Sequence, residues 1–449
     1  MSWDLTPVFG LQGVGRWDST ERPKSWRQFL LKRKPKGSLP LTAMMSKAGR
    51  ETVTDVEFNW HEKDFATQSG SITDIYTDEA MSSALATHAS AAGATLYLKV
   101  DATADNPLTN YILPGAQLLL TSSTNYRIEV RAKVVSVDRN GASSRIRVRL
   151  LTADSNQAAY SLSTANFAYV MPTTFPEFGG IPKVISYKPG RFYNYCSIKK
   201  EAMALSRTAM KTKGIRPNDK DMNYVGMKMD ALEALGVKME QELLWGARYE
   251  ETNAENGQLE WGSMGIDQML TIYGYTGSKT SYKYDATYTG QKWREGGYAW
   301  LKAFFMTHSQ YADLEKMWHA VGNGTILGIT ELAETNRFIS LAQEPRDVEF
   351  GLSVRKLITP WGVLNLFDHS LLNINPAHQY AWYGIPEGGL TYAMIADSDV
   401  QFLPDQNYGK GGMQHVDGRY DLWLVQNGYF FNNIKGFFHL HDVGVDNAL

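Results

Sequence analysis

The chain has 449 residues, 43% of them hydrophobic, with 45 Lys and Arg against 47 Asp and Glu for a formal net charge of −2. That length supports two or three domains with a substantial core, and the near-neutral balance argues against a polycation built to seek nucleic acid. The lone Cys196 excludes an intramolecular disulfide and fits a reducing compartment, Met1-Ser2-Trp3-Asp4-Leu5 lacks a secretory signal pattern, and no apolar run reaches the ~18 residues that span a bilayer, so no membrane partner is expected.

Residues 1–55 read as an arm rather than a domain. Ten basic residues between Arg16 and Arg50 face only Asp18 and Glu21. Pro23, Pro35 and Pro40 leave room for one short helix, Lys24–Lys34, with Trp26, Phe29 and Leu30 on one side. Trp26 is the arm's candidate for a contact with another subunit. The cluster Lys32-Arg33-Lys34-Pro35-Lys36 fits a nuclear address, a nucleic-acid contact or a solvated arm.

Residues 56–180 are mostly strand and turn. Leu96, Leu98 and Val100 alternate with Tyr97 and Lys99, and Ile112 to Leu120 is apolar around Pro114-Gly115. The sharpest pattern lies between Tyr126 and Leu150. Ile128, Val130, Ala132 and Val134 alternate with charged residues, and after Asn140-Gly141 so do Ile146, Val148 and Leu150. Period-two alternation around Asn-Gly predicts a β-hairpin. One face is apolar; the other carries Arg127, Arg131, Lys133, Arg145, Arg147 and Arg149 with Glu129. A lone hairpin is marginal in water, so the apolar face needs cover. The charged face suits carboxylates on a neighbouring subunit, or simply keeps an edge solvated.

In residues 181–251, Lys199–Lys211 is expected to be helical up to a break at Gly214–Pro217. A long helix from Asp219 to Trp245 follows, on the order of 40 Å at the α-helical rise. Asn218 or Asp219 caps it, Gly246 stops it, and Met222, Val225, Met229, Leu232, Met239 and Leu243 form a stripe expected to face a core. Residues 252–415 are mixed: Tyr298–Val321 is expected as a helix, with strands at Val363–Leu366 and Tyr392–Ile395. Residues 416–449 are β, at Leu422–Val425 and Ile434–Leu440.

Known catalytic patterns fail on their geometry. After His61-Glu62, the position of a second zinc-protease histidine holds Phe65. Gly351-Leu352-Ser353-Val354-Arg355 lacks the closing glycine of a nucleophile elbow, and Gly409-Lys410-Gly411-Gly412 lacks the Walker spacing. His439 and His441 would share one face of a strand, compatible with a metal, but no third ligand is evident. Cys196 reads as a buried structural thiol. No catalytic, cofactor-binding or metal residue is assigned.

Three blocks resemble a known family. Glu57-Phe58-Asn59-Trp60-His61-Glu62-Lys63-Asp64 is similar to the start of the extended loop in tailed-bacteriophage major capsid proteins. Arg191-Phe192-Tyr193-Asn194-Tyr195, with Ile198, Ser206 and Thr208, resembles the segment before that family's spine helix. Glu240-Gln241-Glu242-Leu243-Leu244-Trp245-Gly246 resembles the end of that helix. The resemblance implies an α+β chain of the Hong Kong 97-type capsid fold: N-terminal arm, extended β-hairpin loop, spine helix in a peripheral domain, mixed α/β axial domain, and a returning peripheral β segment. Cys196-Ser197 stands where relatives often carry Thr-Gln, and the hairpin tip Asp138–Gly141 has no lysine for a covalent cross-link.

The implied function is a non-enzymatic shell protein of an icosahedral phage head, assembled in the host cytoplasm and located in the virion. Implied partners are copies of itself in hexamers and pentamers, scaffolding, portal or decoration proteins, and double-stranded DNA touched non-specifically. No cofactor is expected. The alternative is an encapsulin-like compartment of the same fold. A remoter one is a hydrolase, which would need a close pair of carboxylates in a cleft.

Overall fold

The computed structural model describes residues 49–449 except 64–68, 87–89, 101–107, 111, 126, 141–143, 155–160, 176, 178–187, 207–223, 336–339, 343–347, 350–351, 397 and 405–417. Two compact units result, one of Met1–Trp60 with Arg191–Leu449 and one of His61–Gly190. Trp26 and the arm helix expected over Lys24–Lys34 lie outside the described residues. No described helix is long and apolar enough to cross a membrane.

Strand β1 (Arg50–Val53), at the end of the segment expected to be an arm, runs parallel to Leu390–Ile395 in the larger unit. Strand β2 (Glu57–Glu62) pairs with Gly190–Tyr195. The smaller unit then folds from one contiguous stretch. Strands β3 (Ser69–Tyr76), β4 (Thr95–Val100), β5 (Ala116–Thr121), β6 (Glu129–Asp138), β7 (Arg145–Leu150) and β8 (Phe167–Thr173) close into a barrel in the order β3-β4-β7-β6-β5-β8. The predicted hairpin is β6–β7, with its tip at 141–143 outside the described residues.

The sequence predicts a hairpin whose apolar face needs cover. Four further strands of the same stretch supply it. Ile128, Val130, Ala132, Val134, Ile146, Val148 and Leu150 are each at most 4% exposed. They pack with Ile72, Leu96, Leu98, Leu118 and Leu120 into one core. Closure also removes the open edges that a ribbon would offer for aggregation. The alternation slips once: the β6–β7 register shifts between Val134 and Ser136, leaving Val135 45% exposed. A one-residue bulge of this kind turns every later side chain to the other face, so Val137 packs inward.

Back in the larger unit come β9 (Gly190–Tyr195) and β10 (Ser197–Ser206). The helix expected over Lys199–Lys211 is therefore a strand as far as Ser206. Lys, Glu, Ala and Met favour helix one by one, but pairing over ten residues with Gly418–Phe431 overrides that preference. Helix α1 (Tyr224–Trp245) follows, its predicted cap outside the described residues. Leu235, Met239, Leu243 and Leu244 are buried, whereas Met229 is 61% exposed, against the expected stripe. At about 100° per residue, Met229 lies roughly 80° round the helix from Met239, off the packed face.

The chain continues through β11 (Tyr249–Thr252), β12 (Leu259–Gly262), α2 (Ile266–Tyr273), β13 (Lys279–Ser281), α3 (Trp293–His308), β14 (Met317–Val321), α4 (Asn323–Thr335), β15 (Ser340–Ala342), β16 (Val348–Glu349), β17 (Leu352–Thr359), β18 (Gly362–Asp368) and α5 (Ser370–Ile374). It ends in β19 (Trp382–Pro386), β20 (Leu390–Ile395), β21 (Gln401–Leu403), β22 (Gly418–Phe431) and β23 (Phe438–His441). One sheet runs β1-β20-β22-β10 with β21 also on β22; a second runs β13-β23-β19-β14-β18-β17-β15 with β16 on β17. The helix expected over Tyr298–Val321 thus stops at His308. Asp313 accepts a hydrogen bond from the Glu315 amide at 3.3 Å, capping a short turn, and Met317–Val321 becomes a central strand.

Two buried histidines lock this second sheet in place. His319 Nε2 donates to the Leu314 carbonyl at 3.0 Å, and its Nδ1 accepts from Trp382 Nε1 at 3.2 Å. His308 Nε2 donates to the Gly436 carbonyl at 3.0 Å, and its Nδ1 accepts from the Tyr275 hydroxyl at 3.0 Å. Each ring uses one nitrogen as donor and one as acceptor, which only the neutral form does.

Two expectations follow from these arrangements. Leu98→Ala, inside the barrel, should cost about 2–5 kcal/mol of stability, while Arg149→Ala on its outside should stay within about 0.5 kcal/mol; comparable costs in chemical denaturation would contradict the inside–outside assignment. Burial lowers His308 and His319 from 6.5 to about 4. Between those values the unfolded chain binds more protons than the folded one. Stability should therefore fall as pH drops from 6.5 toward 4, by on the order of 1.4 kcal/mol per pH unit for each ring. Denaturation midpoints at pH 7.5, 6.5, 5.5 and 4.5 test this, with a shallower slope expected for His319→Gln and an unchanged slope counting against it.

Candidate assembly surface

Strand pairing decides which charges on the barrel become neighbours. Arg145, Arg147 and Arg149 point outward from β7, flanked on β4 by Lys99, Tyr97 and Thr95. On the other side, Arg149 lies opposite Lys133, Arg147 opposite Ser136, and Arg145 opposite Asp138. Arg131 and Lys133 continue the row on β6, opposite Leu119 and Gln117 of β5. Paired strands are about 4.8 Å apart, so Lys133 and Arg149 face each other as like charges, which is unfavourable in isolation.

Arg145 is satisfied within its own chain. Its Nη2 lies 3.1 Å from Glu79 Oε1 and its Nε lies 3.3 Å from Asp138 Oδ2, and Nη1 donates to the Glu79 carbonyl. Arg147 lies 5.9 Å from the Tyr97 ring centroid. Among the described residues, no carboxylate pairs with Arg131, Lys133, Arg147 or Arg149. Arg127 lies in the turn before β6, off the row, with its amide donating to Asn125 Oδ1 at 3.1 Å.

The sequence reading missed what flanks this row. Leu119 sits between Arg131 and Tyr169 across the sheet, and Tyr169 is 48% exposed with Phe167 packed edge-on at 5.1 Å. An outward apolar patch beside unpaired arginines has the composition of an interface core, where Tyr and Arg are enriched. Its signal was the run Phe167-Ala168-Tyr169-Val170-Met171, apolar at both alternating positions.

Two groups with chemical potential elsewhere are closed to substrate. Cys196 is fully buried, and burial pushes its thiol up to about 12. His369 and Glu240 are both wholly buried, with Nε2 donating to Oε1 at 3.1 Å. The other ring nitrogen accepts from the Leu371 amide at 3.2 Å. This contact ties α1 to the start of α5 and offers no route for a ligand.

A sequence profile of the SU10 major capsid protein family matches residues 19–382. No curated protein matches this sequence. Among solved structures, the chain is similar to one from Mycobacterium phage Bobi at 9% identity, covering 94% of this chain and 96% of that one, with a TM-score of 0.42. The capsid of cyanophage P-SCSP1u gives 10% identity, 60% and 80% coverage, and a TM-score of 0.36. The holo-SrpI encapsulin complex from Synechococcus elongatus PCC 7942 gives 10% identity, 58% and 78% coverage, and a TM-score of 0.35. With all three scores below 0.5, the assignment rests on the sequence profile, which spans well over half of the chain. The chain belongs to the SU10 major capsid protein family and is a structural protein of a phage head shell.

Proposed function

We propose that the shell is built from hexamers and pentamers of a Hong Kong 97-type protomer in which the outer barrel face meets carboxylates on a neighbouring copy. Arg131, Lys133, Arg147 and Arg149 make that contact, with Arg127 and Arg145 at its margin and Tyr169 beside it. In this reading the five-stranded sheet with α1 is the peripheral part and the eight-stranded sheet the axial part. In chain order the barrel stretch corresponds to the fold's extended loop. The arm, with Trp26, reaches another subunit. Scaffolding, portal or decoration proteins join in the host cytoplasm, and the basic arm tolerates packaged double-stranded DNA through phosphate contacts alone.

The observation that carries this is the row of cations without a carboxylate among the described residues, held a strand's width apart on a rigid closed barrel. Such a face repels itself until something negative covers it. Exposed pairs are worth only ~0.2–1 kcal/mol each, so one contact decides little. Closed symmetry repeats the contact at every equivalent position, and the sum then weighs on assembly.

Reversing Arg131 and Arg147 together to Glu should leave the melting behaviour of the chain nearly unchanged. It should cut the yield of shells in sedimentation, most strongly at low salt, where screening lengths are longest. An assembly yield equal to wild type at every ionic strength would falsify this interface. Deleting residues 1–48, which spares β1, should leave a soluble, folded chain that assembles poorly. If the truncated chain is insoluble instead, the arm belongs to the core.

A further inference from the structure

His439 and His441 stand two apart on β23, so their side chains leave the same face of the strand. The third imidazole comes from a different part of the chain. His378 closes the short helical turn Pro376–His378 that leads into β19, and β19 pairs with β23. One nitrogen of each ring lies within 4.8 Å of the other two.

The rings are held unequally. His439 is fully buried and stacked on Tyr383 at a centroid distance of 3.8 Å. Its Nδ1 lies 2.9 Å from Asp267 Oδ1. Lys279 Nζ donates to Oδ2 of the same carboxylate at 2.9 Å. Asp267 is therefore the acceptor, Nδ1 carries the proton, and Nε2 of His439 presents a bare lone pair. That Nε2 is buried with no hydrogen-bond partner, and so is Nδ1 of His378. Two orphaned buried ring nitrogens in one three-histidine cluster are rare in a folded protein, because each forfeits a hydrogen bond.

We propose that His378, His439 and His441 bind a borderline divalent transition metal, of which Zn2+ is the best fit. Imidazole nitrogens suit zinc, cobalt, nickel or copper and not calcium or magnesium, which take oxygen ligands. Asp267 behind His439 repeats the carboxylate–histidine–metal arrangement that orients a ligating ring. Three histidines leave a fourth tetrahedral position for water. With Zn–N bonds near 2.0–2.1 Å, the nitrogens would close to about 3.3 Å from one another. His378 and His441 are only partly buried, while His439 is held by Asp267 and stacked on Tyr383. Lys279, 2.8 Å from Asp267, offsets the carboxylate charge, so affinity comes from the three imidazoles. The bound ion would tie the last strand of the chain to the turn before β19, a structural staple rather than a catalyst.

The test uses the untagged full-length chain, stripped with a chelator and titrated with Co2+ and then Zn2+. The expected result is one Co2+ per chain with the visible absorption of tetrahedral cobalt, displaced by one Zn2+, and a melting temperature that rises with bound metal. His378→Ala and His441→Ala should each weaken binding by at least about tenfold, and Asp267→Asn by about 10–100-fold. Their melting temperatures without metal should change far less. Absence of stoichiometric binding, or binding that survives both histidine substitutions, overturns the site. If a variant fails to fold, X-ray absorption on the wild type decides: three nitrogen neighbours support the site, and an oxygen-only shell refutes it.

Discussion

The larger unit depends on one strand. Gly418–Phe431 carries β10 on one edge over ten residues, and β20 and β21 on the other, so its fourteen residues hold the five-stranded sheet together. The same strand fixes the helix that lies on it. The Tyr429 hydroxyl donates to the Met239 carbonyl at 2.9 Å, and Trp423 Nε1 donates to the Lys228 carbonyl at 3.1 Å. Those two carbonyls are eleven residues apart, about 16 Å along α1, so the helix is pinned at two points rather than merely laid on an apolar surface. Asn194, fully buried, completes the joint. It donates to the Tyr429 carbonyl at 3.0 Å and accepts from the Met264 amide at 2.7 Å.

This arrangement has a topological consequence. The strands flanking Gly418–Phe431 come from residues 197–206 and 390–403, so the sheet closes only after most of the chain exists. Pairings across such sequence distances are slow because loop entropy is lost before contacts reward it. The barrel is the opposite case: six strands from one contiguous stretch, each beside a partner that it can find early. A closed barrel also has no unpaired edge. Its core is built of apolar side chains, and its outer face is left free to carry charge. Stability and recognition therefore sit on opposite sides of the same strands, which is why a row of like charges is tolerable there.

Histidine plays an unusual part in the larger unit. His308, His319, His369 and His439 are wholly buried, and the first three use both ring nitrogens in hydrogen bonds. His319 joins the Leu314 turn to Trp382, His308 joins Tyr275 to Gly436, and His369 joins α5 to Glu240. A neutral imidazole suits this work because it is a donor and an acceptor at once, rigid, and flat enough to stack among aromatics. His439 departs from the pattern: one nitrogen is held by Asp267, and the other has no hydrogen-bond partner. That difference separates a bracing histidine from a ligand.

Much of this was legible without coordinates. The alternation of Ile128 to Val134 and Ile146 to Leu150 named the inward side chains of two strands, because a strand's side chains have a period of two whatever covers them. The blocks around Trp60, Asn194 and Trp245 pointed to the capsid family, and the profile match agrees. What covered the hairpin was not legible, since barrel closure depends on four other strands whose own alternation is weaker. Nor was the state of Lys199–Ser206, whose residues prefer helix until a distant strand pairs with them, or Met229, whose three-residue spacing from Leu232 looks core-facing although the twist carries it off the packed face. The histidine cluster was half visible. His439 and His441 share a strand face by spacing alone, but only the pairing of β19 with β23 brings His378 to them. Local periodicity is written in neighbouring residues; which surfaces meet is decided by pairings between residues far apart, and no short window of sequence contains both partners.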